Sequence, residues 1–291
     1  MTEVLIIGAS GLLGQHLLNE AEARHLSVTG TYYSEDVAGL ERLDLTDFEA
    51  VKTMISEGKP DIVILPAAMS SIAGCEADPL KAMQVNSEAP LVVAKACSSI
   101  GAKMALFSSV HVFDCRSGPY AEDSETNPVN ILGRTRLAGE KNATETLPDS
   151  LVVRTCEDFG WNRLRSRENE VTSIVHRIRC GEEVGLAVDQ WATPSYAPRV
   201  AEHVFDLLRN EESGIFHIAT SPRLTKYEIG KRICGAFGLD GEKLEPKSIG
   251  DVGLGASLPR GLCLSTMKVE SKLGVSMNSF ESCLEEMRIR H

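Results

Sequence analysis

The chain lacks the features that mark membrane, secreted or nucleic-acid-binding proteins. Among its 291 residues, aromatic side chains make up only 5%, and Asp and Glu (41) outnumber Lys and Arg (30), which leaves a net charge of −11. Without a basic excess there is no global field that attracts nucleic acid or an anionic membrane. No apolar run approaches the roughly 20 residues of a membrane-spanning helix, and Met1-Thr2-Glu3 lacks a basic signal segment. We therefore expect a cytoplasmic protein that binds neither nucleic acid nor membrane.

The cysteines lack the spacing of a metal site or of a disulfide framework. The eight cysteines form no CxxC pair and none stands at ligand spacing from a histidine. We expect reduced thiols and no metal. With 43% apolar and 24% charged residues, the composition is that of an ordinary globular protein, and the length suffices for a full core.

What the sequence does contain is a glycine pattern near its start. An apolar run over residues 4–7 is followed by Gly8, Gly11 and Gly14, and then by an amphipathic stretch. This order predicts a strand, a turn and a helix that hold the pyrophosphate of a dinucleotide, with Ser10 and Leu12 as further contacts. A purely structural glycine turn is the alternative.

Apolar strand patterns and helical patterns alternate over the next 150 residues. This alternation predicts an α/β fold with a doubly wound parallel sheet of the Rossmann type. The second strand ends at Tyr32 and Ser34 without an acid that would bond a ribose 2′-hydroxyl, so NADP(H) is favoured over NAD(H), although Glu35 and Asp36 lie just beyond.

Two later strand ends also supply predicted cofactor contacts. Asp44, followed by Leu45, either reaches the adenine or serves as a turn or capping aspartate. Ala67 and Ala68 follow the fourth strand, and small residues there let a cofactor lie against the backbone.

Two segments around the fifth strand carry a family resemblance. Residues 108–114 read SSVHVFD and residues 128–140 read PVNILGRTRLAGE. With these, the chain resembles the extended short-chain dehydrogenases/reductases of the dTDP-4-dehydrorhamnose reductase (RmlD-like) family, which also contains the regulatory β subunit of methionine adenosyltransferase. The resemblance runs nearly end to end. It implies a Rossmann domain of residues 1–155 plus 194–219, interleaved with a smaller substrate domain of residues 156–193 plus 220–291.

The resemblance also implies catalytic positions. The family reduces a nucleotide-sugar ketone with a hydroxyl that bonds the substrate oxygen, a tyrosine that protonates it and a lysine four residues later. Ser109 fills the hydroxyl position, but Leu132 stands at the tyrosine and Arg136 at the lysine. Arg136 keeps a positive charge for the ribose, whereas leucine has no proton to give, and such acid catalysis contributes about 10²–10⁴ in rate.

Other side chains are candidates for the missing functions. A replacement proton donor could be His111 or Tyr120, and Cys115 could react only if exposed and deprotonated. Three arginines in the next polar segment either clamp a pyrophosphate or another anionic ligand, or are solvated: Arg163, Arg165 and Arg167. Two functions therefore remain open. One is a nucleotide-sugar reductase with doubtful turnover, and the other is a non-catalytic dinucleotide-binding subunit that regulates or scaffolds a protein partner, or forms a homo-oligomer.

Overall fold

Seven parallel strands form the central sheet, in the order β3-β2-β1-β4-β5-β6-β9. The computed structural model describes residues 2–164, 167–251 and 259–290. The strands are β1 (Glu3–Ile6), β2 (Ser27–Tyr32), β3 (Glu41–Arg42), β4 (Ile62–Leu65), β5 (Lys103–Ser109), β6 (Leu151–Thr155), β7 (Val184–Ala187), β8 (Trp191–Ala192), β9 (Gly214–His217), β10 (Leu224–Thr225), β11 (Leu244–Lys247) and β12 (Gly261–Leu262). The predicted doubly wound Rossmann-type sheet is confirmed.

Helices cover both faces of this sheet. They are α1 (Leu12–Ala23), α2 (Phe48–Gly58), α3 (Ile72–Ala77), α4 (Pro79–Met83), α5 (Ala89–Ile100), α6 (Ile131–Thr146), α7 (Glu170–Arg179), α8 (Ala197–Arg209), α9 (Lys226–Phe237), α10 (Met267–Leu273) and α11 (Phe280–Ile289). Helices α1 and α8 pack together on one face, and α2, α5 and α6 pack on the other. Within those described residues, no helix is both long and apolar enough to cross a membrane.

Strand β1 is apolar at successive positions because it is buried on both of its faces. Val4 and Ile6 belong to the core on the α1 and α8 face, whereas Leu5 and Ile7 belong to the core on the α2 and α5 face. Side chains alternate across a strand, and a parallel sheet covered on both sides buries both sets. This places the chain after Ile7, with its glycines, at the carboxyl edge of the sheet, where ligands bind in such folds.

The sequence pattern predicts a long helical region from about Pro79 to Ile100, and the structure interrupts it. A π-helical turn, Gln84–Glu88, separates α4 from α5. Such turns are frequent at functional sites because they re-aim a side chain within a continuous helix. Here the turn contains the buried Asn86.

Two small sheets stand apart from the central one. Strands β10, β8 and β12 form the first and β11 and β7 the second, and α7, α9 and α11 share a core with them. The periodicity over residues 184–188 predicts β7, but its partner β11 and the two-residue strands β8, β10 and β12 carry no recognisable pattern. The division into two interleaved domains with the stated boundaries stays a prediction.

Candidate functional site

The glycine turn between β1 and α1 has no room for larger residues at two of its positions. Gly8 has φ +100°, and a Cβ atom there would lie 2.6 Å from the Cβ of Ala67. A Cβ atom on Gly14 would lie 2.1 Å from the carbonyl oxygen of Gly8. Gly11 precedes α1, and no described side chain caps the helix. The first N–H groups of α1 are therefore free to bind an anion such as a pyrophosphate.

Two alanine substitutions separate the packing role of the turn from its ligand role. A Cβ atom on Gly11 would meet only the Gly8 oxygen, at 3.4 Å, which is ordinary contact. We expect Gly11→Ala to keep the thermal midpoint but to weaken NADPH binding at least about tenfold, because the new methyl stands where phosphate approaches backbone. Gly14→Ala should lower the free energy of unfolding by about 1–3 kcal/mol or more through overpacking. Thermal unfolding and fluorescence titration measure both quantities, and unchanged NADPH affinity in Gly11→Ala would contradict a phosphate role for this turn.

The end of β2 lies beside the glycine turn. The Thr31 hydroxyl accepts a hydrogen bond from the Gly8 N–H at 3.0 Å, and its carbonyl accepts one from the N–H of the buried Ser10. The Tyr32 side chain hydrogen-bonds to Asp36, so an acid does lie near this strand end. Arg42, the register partner of Tyr32 on β3, brings a positive charge to the same edge.

The remaining predicted cofactor contacts lie at the same edge of the sheet. Ser34 is exposed, Leu12 is half-buried at the start of α1, and Leu45 is buried. The Asp44 carboxylate accepts hydrogen bonds from the backbone N–H (2.9 Å) and hydroxyl (2.7 Å) of Thr46, as a turn aspartate does. The Ala67 N–H donates to the carbonyl of Ile7, which draws Ala67 against Gly8; Ala68 follows it and is half-buried. The ligand roles of these residues stay predictions.

The predicted catalytic residues meet at the carboxyl end of β5. Ser109 ends the strand, and its hydroxyl accepts a long hydrogen bond from the His111 N–H at 3.4 Å. Arg136 reaches across from α6 and donates from Nη1 to the Phe107 carbonyl at 2.8 Å, while its buried Nε has no partner in the part of the chain that the structure describes. Gly133 permits this approach, because a Cβ atom there would lie 2.0 Å from the carbonyl oxygen of His111.

Burial sets the charge states here. Desolvation, with the nearby charges of Arg136 and Lys226, lowers the pKa of His111 to about 4. At neutral pH the imidazole is therefore uncharged, which does not fit an acid that holds a proton for delivery near pH 7. Desolvation also lowers the pKa of Arg136 to about 10, so the guanidinium stays charged at neutral pH.

Leu132, at the tyrosine position of the resembled family, is part of a small apolar cluster. It is 2% exposed and packs with Cys75 and Ala82. Asn86 borders this cluster and ties three elements together. Its amide accepts from the Met69 N–H (2.9 Å) and donates to the Met69 carbonyl (3.0 Å) and to Thr135 Oγ1 on α6 (3.1 Å). The π-helical turn thus anchors the loop after β4 to the helix that carries Leu132 and Arg136.

Tyr120, the other candidate proton donor, and Cys115, the candidate reactive thiol, are engaged elsewhere. The Tyr120 hydroxyl donates to Asp114 at 2.5 Å and accepts from the N–H groups of Arg116 and Ser117, and its ring stacks on Phe113. The thiol of Cys115 is buried and directed at the Val110 carbonyl, and burial raises its pKa to about 12. Both side chains thus serve the structure of this loop. All eight cysteines are free thiols, and all but Cys180 are buried.

The two described arginines of this segment, Arg163 and Arg167, are exposed, as the solvated alternative predicts. Arg163 donates to the carbonyl of Arg290, Arg167 is exposed, and Arg165 lies outside the described residues. The segment instead binds α1, because the Trp161 carbonyl accepts from the Gln15 amide at 2.9 Å. The Trp161 indole N–H donates to the Met287 carbonyl on α11 at 2.7 Å.

Sequence reasoning missed an acidic pair directly after β6. Glu157, with φ +45°, forms an ion pair with the buried Lys226, which also binds Glu170 at 2.6 Å. Asp158 accepts a hydrogen bond from Thr155 Oγ1 at 3.2 Å. Oxygens of both acids, Glu157 Oε2 and Asp158 Oδ1, are buried without a partner among the described residues. Two consecutive acids at a strand end of the ligand edge were the available signal.

Comparisons with known proteins agree with this geometry. Residues 1–290 match the family described as RmlD substrate binding domain. The chain is 32% identical over 287 residues to the probable low-salt glycan biosynthesis reductase Agl14 of Haloferax volcanii, covering 96% of this chain and 95% of that protein. It is 32% identical over 283 residues to methionine adenosyltransferase 2 subunit beta of Xenopus tropicalis, covering 94% and 83%. The crystal structure of a dTDP-4-dehydrorhamnose reductase from Clostridium acetobutylicum superposes with a TM-score of 0.90 at 26% identity, over 99% of both chains.

Proposed function

Because the chain belongs to the RmlD substrate binding domain family, we propose that it is an NADP(H)-dependent reductase of a nucleotide-linked sugar ketone, dTDP-4-dehydrorhamnose or a close analogue. The observation that carries this proposal is the placement of Ser109 and Arg136 at the same sheet edge as the glycine turn. A reduced nicotinamide bound there supplies hydride to a carbonyl carbon.

The residues present fit such a cofactor. The uncapped start of α1 and the crowded glycines at 8 and 14 form a cradle for a pyrophosphate, with Ala67 and Ala68 beside it. Arg136 presents an unpartnered buried Nε to ribose hydroxyls. Ser109 keeps its own hydroxyl hydrogen for the substrate oxygen and so stabilises the charge that develops there.

The proposed preference for NADP(H) rests on the positive charge of Arg42, which lies where the adenosine ribose of the cofactor would bind. Arg42 is exposed beside Tyr32, where a 2′-phosphate would lie. We expect Arg42→Ala to weaken NADPH binding about three- to tenfold and to leave NADH binding unchanged, because only NADPH carries the phosphate. The variant is titrated with both cofactors, and its affinity for NADH, which lacks the phosphate, is the control. Equal weakening for both would show that Arg42 acts through folding or through the shared part of the cofactor.

A second candidate function is a non-catalytic subunit that binds a dinucleotide and regulates or scaffolds a partner protein. The specific observation in its favour is Leu132, buried in an apolar cluster where the family pattern has a phenol. The similarity to a methionine adenosyltransferase subunit is compatible with this role.

One experiment separates the two candidates. Purified protein is titrated with NADPH and then assayed under single-turnover conditions with dTDP-4-dehydrorhamnose. Hydride transfer by the wild-type protein supports the reductase. Binding without transfer, with transfer appearing only in the Leu132→Tyr, Arg136→Lys double variant, supports the subunit, and copurification of a partner that is lost without cofactor strengthens that reading.

We also propose a cytoplasmic setting, which the eight free thiols support. The ligand would be a nucleotide-sugar or another anionic small molecule. The two interleaved domains would place it between the glycine-turn edge and the segment from residue 156 onward.

A further inference from the structure

The site contains a hydroxyl and a cation, but the phenol that would protonate the product is replaced by Leu132. Of the other donors, His111 is neutral and Tyr120 is held by Asp114. The acids after β6 are the remaining source of a proton among the described residues of this edge. Their placement decides which of them can serve.

Asp158 follows β6, the strand that neighbours the one ending at Ser109. Strands β5 and β6 pair Ser109 with Thr155, and neighbouring strands are about 4.8 Å apart. The Thr155 hydroxyl donates to Asp158 Oδ2 at 3.2 Å and so fixes the carboxyl, while Oδ1 is buried without a partner. One oxygen of this carboxyl is therefore positioned and the other is free.

Arg136 links this carboxyl to the Ser109 segment. The side chain is 9% exposed, and its positive charge acts both on His111 after β5 and on Asp158 after β6. Its Nε and the Oδ1 of Asp158 are both buried without a hydrogen-bond partner among the described residues. Buried polar atoms are normally paired, so two unpaired ones near this strand end indicate room for a ligand's polar groups.

Glu157 is less suited to this role. Its carboxylate forms an ion pair with the buried ammonium of Lys226 on α9. Burial raises the pKa of Glu157 to about 7 against the opposing charge of Lys226. Its position against Lys226 on α9, and not its charge state, therefore sets it apart from Asp158.

We propose that Asp158 is the proton donor of this site in place of the missing phenol, an inference that rests on the reductase function proposed above. As hydride from a reduced nicotinamide bonds to the carbonyl carbon, the π electron pair of the C=O bond moves to oxygen. The O–H bond of Asp158 breaks and its proton bonds to that oxygen, which the Ser109 hydroxyl holds. The carboxylate, facing the Arg136 cation, regains a proton from water after product leaves.

The titration of Asp158 fits this role. Burial raises its pKa from 3.8 to about 6, against the opposing effects of the Thr155 hydrogen bond and the Arg136 charge. A donor is most effective when its pKa lies near the working pH. The charged groups that act on this carboxyl are Arg136 from α6 and Glu157 beside it, and Lys226 and Glu170 are paired with or near Glu157.

The test is Asp158→Asn, which keeps the shape and the acceptor for Thr155. Single-turnover reduction of dTDP-4-dehydrorhamnose should fall on the order of 10²-fold, with NADPH affinity unchanged. The wild-type rate should fall as pH rises through about 6, and the variant should lose this dependence. The matched control is Asp149→Asn, an exposed aspartate in the α6 to β6 loop, which should leave rate and profile unaltered.

A second readout needs no cofactor. An acid whose folded pKa is raised destabilises the protein above that pKa, so Asp158→Asn should raise the thermal midpoint by several degrees at pH 8 and by almost nothing at pH 4. A purely structural aspartate would give a lower midpoint together with a lower rate. If hydride transfer in Asp158→Asn is as fast as in the wild type, Asp158 is not the proton donor, while the proposed reductase function stands. Wild-type protein that binds NADPH without transfer overturns the donor and the reductase together, and failure to bind NADPH overturns the reductase at its first step.

Discussion

Replacing Glu140 with glutamine is expected to lower the free energy of unfolding by about 3–5 kcal/mol, because it leaves a buried guanidinium without its counter-charge. Arg154 is 1% exposed and Glu140 3%. Their pairing is bidentate, with Arg154 Nε to Oε1 at 2.8 Å and Nη2 to Oε2 at 2.7 Å. The guanidinium also lies 5.0 Å from the centre of the Phe113 ring.

Urea unfolding at neutral pH measures this loss. Glu145→Gln on the same helix, where the side chain is exposed, is the matched control and should change stability by no more than about 0.5 kcal/mol. An Arg154→Met, Glu140→Leu double variant should be more stable than Glu140→Gln, because no buried charge is left unpaired. A loss below about 1 kcal/mol in Glu140→Gln would mean that the pair is hydrated in solution.

Introducing a phenol at position 132 should raise the single-turnover rate far more when the carboxyl of Asp158 is absent than when it is present. In the Asp158→Asn background, Leu132→Tyr with Arg136→Lys is expected to raise the single-turnover rate on the order of 10²-fold, whereas in the wild-type background the gain should stay below about tenfold. The reason is that either group protonates the same oxygen, so the two are alternatives and their effects do not add.

Leu132→Phe with Arg136→Lys is the control, since it adds the ring without the hydroxyl. The larger ring must fit beside Cys75 and Ala82, and the control separates this packing cost from the chemistry. Equal large gains in both backgrounds would show that the wild-type site has no proton donor.

The sequence predicted the sheet and its ligand edge because those rest on local patterns. The apolar run before Gly8 and the spacing to Gly14 mark a strand, a turn and a helix that need no distant partner to be recognised. The register partner of β7 and the role of Asp158 depend on residues far apart in sequence, so no local pattern carries them. His111 was a reasonable prediction by type, yet its charge state is set by burial and by Arg136 and Lys226, which the sequence does not place beside it.

Trp161 connects α1 with α11. Its backbone carbonyl accepts a hydrogen bond from Gln15 on α1, the helix that follows the glycine turn, and its indole N–H donates one to the carbonyl of Met287 on α11. Trp161 therefore bridges the helix that begins at the phosphate cradle and the last described helix, and its replacement would remove the indole bond that holds the last helix to this bridge.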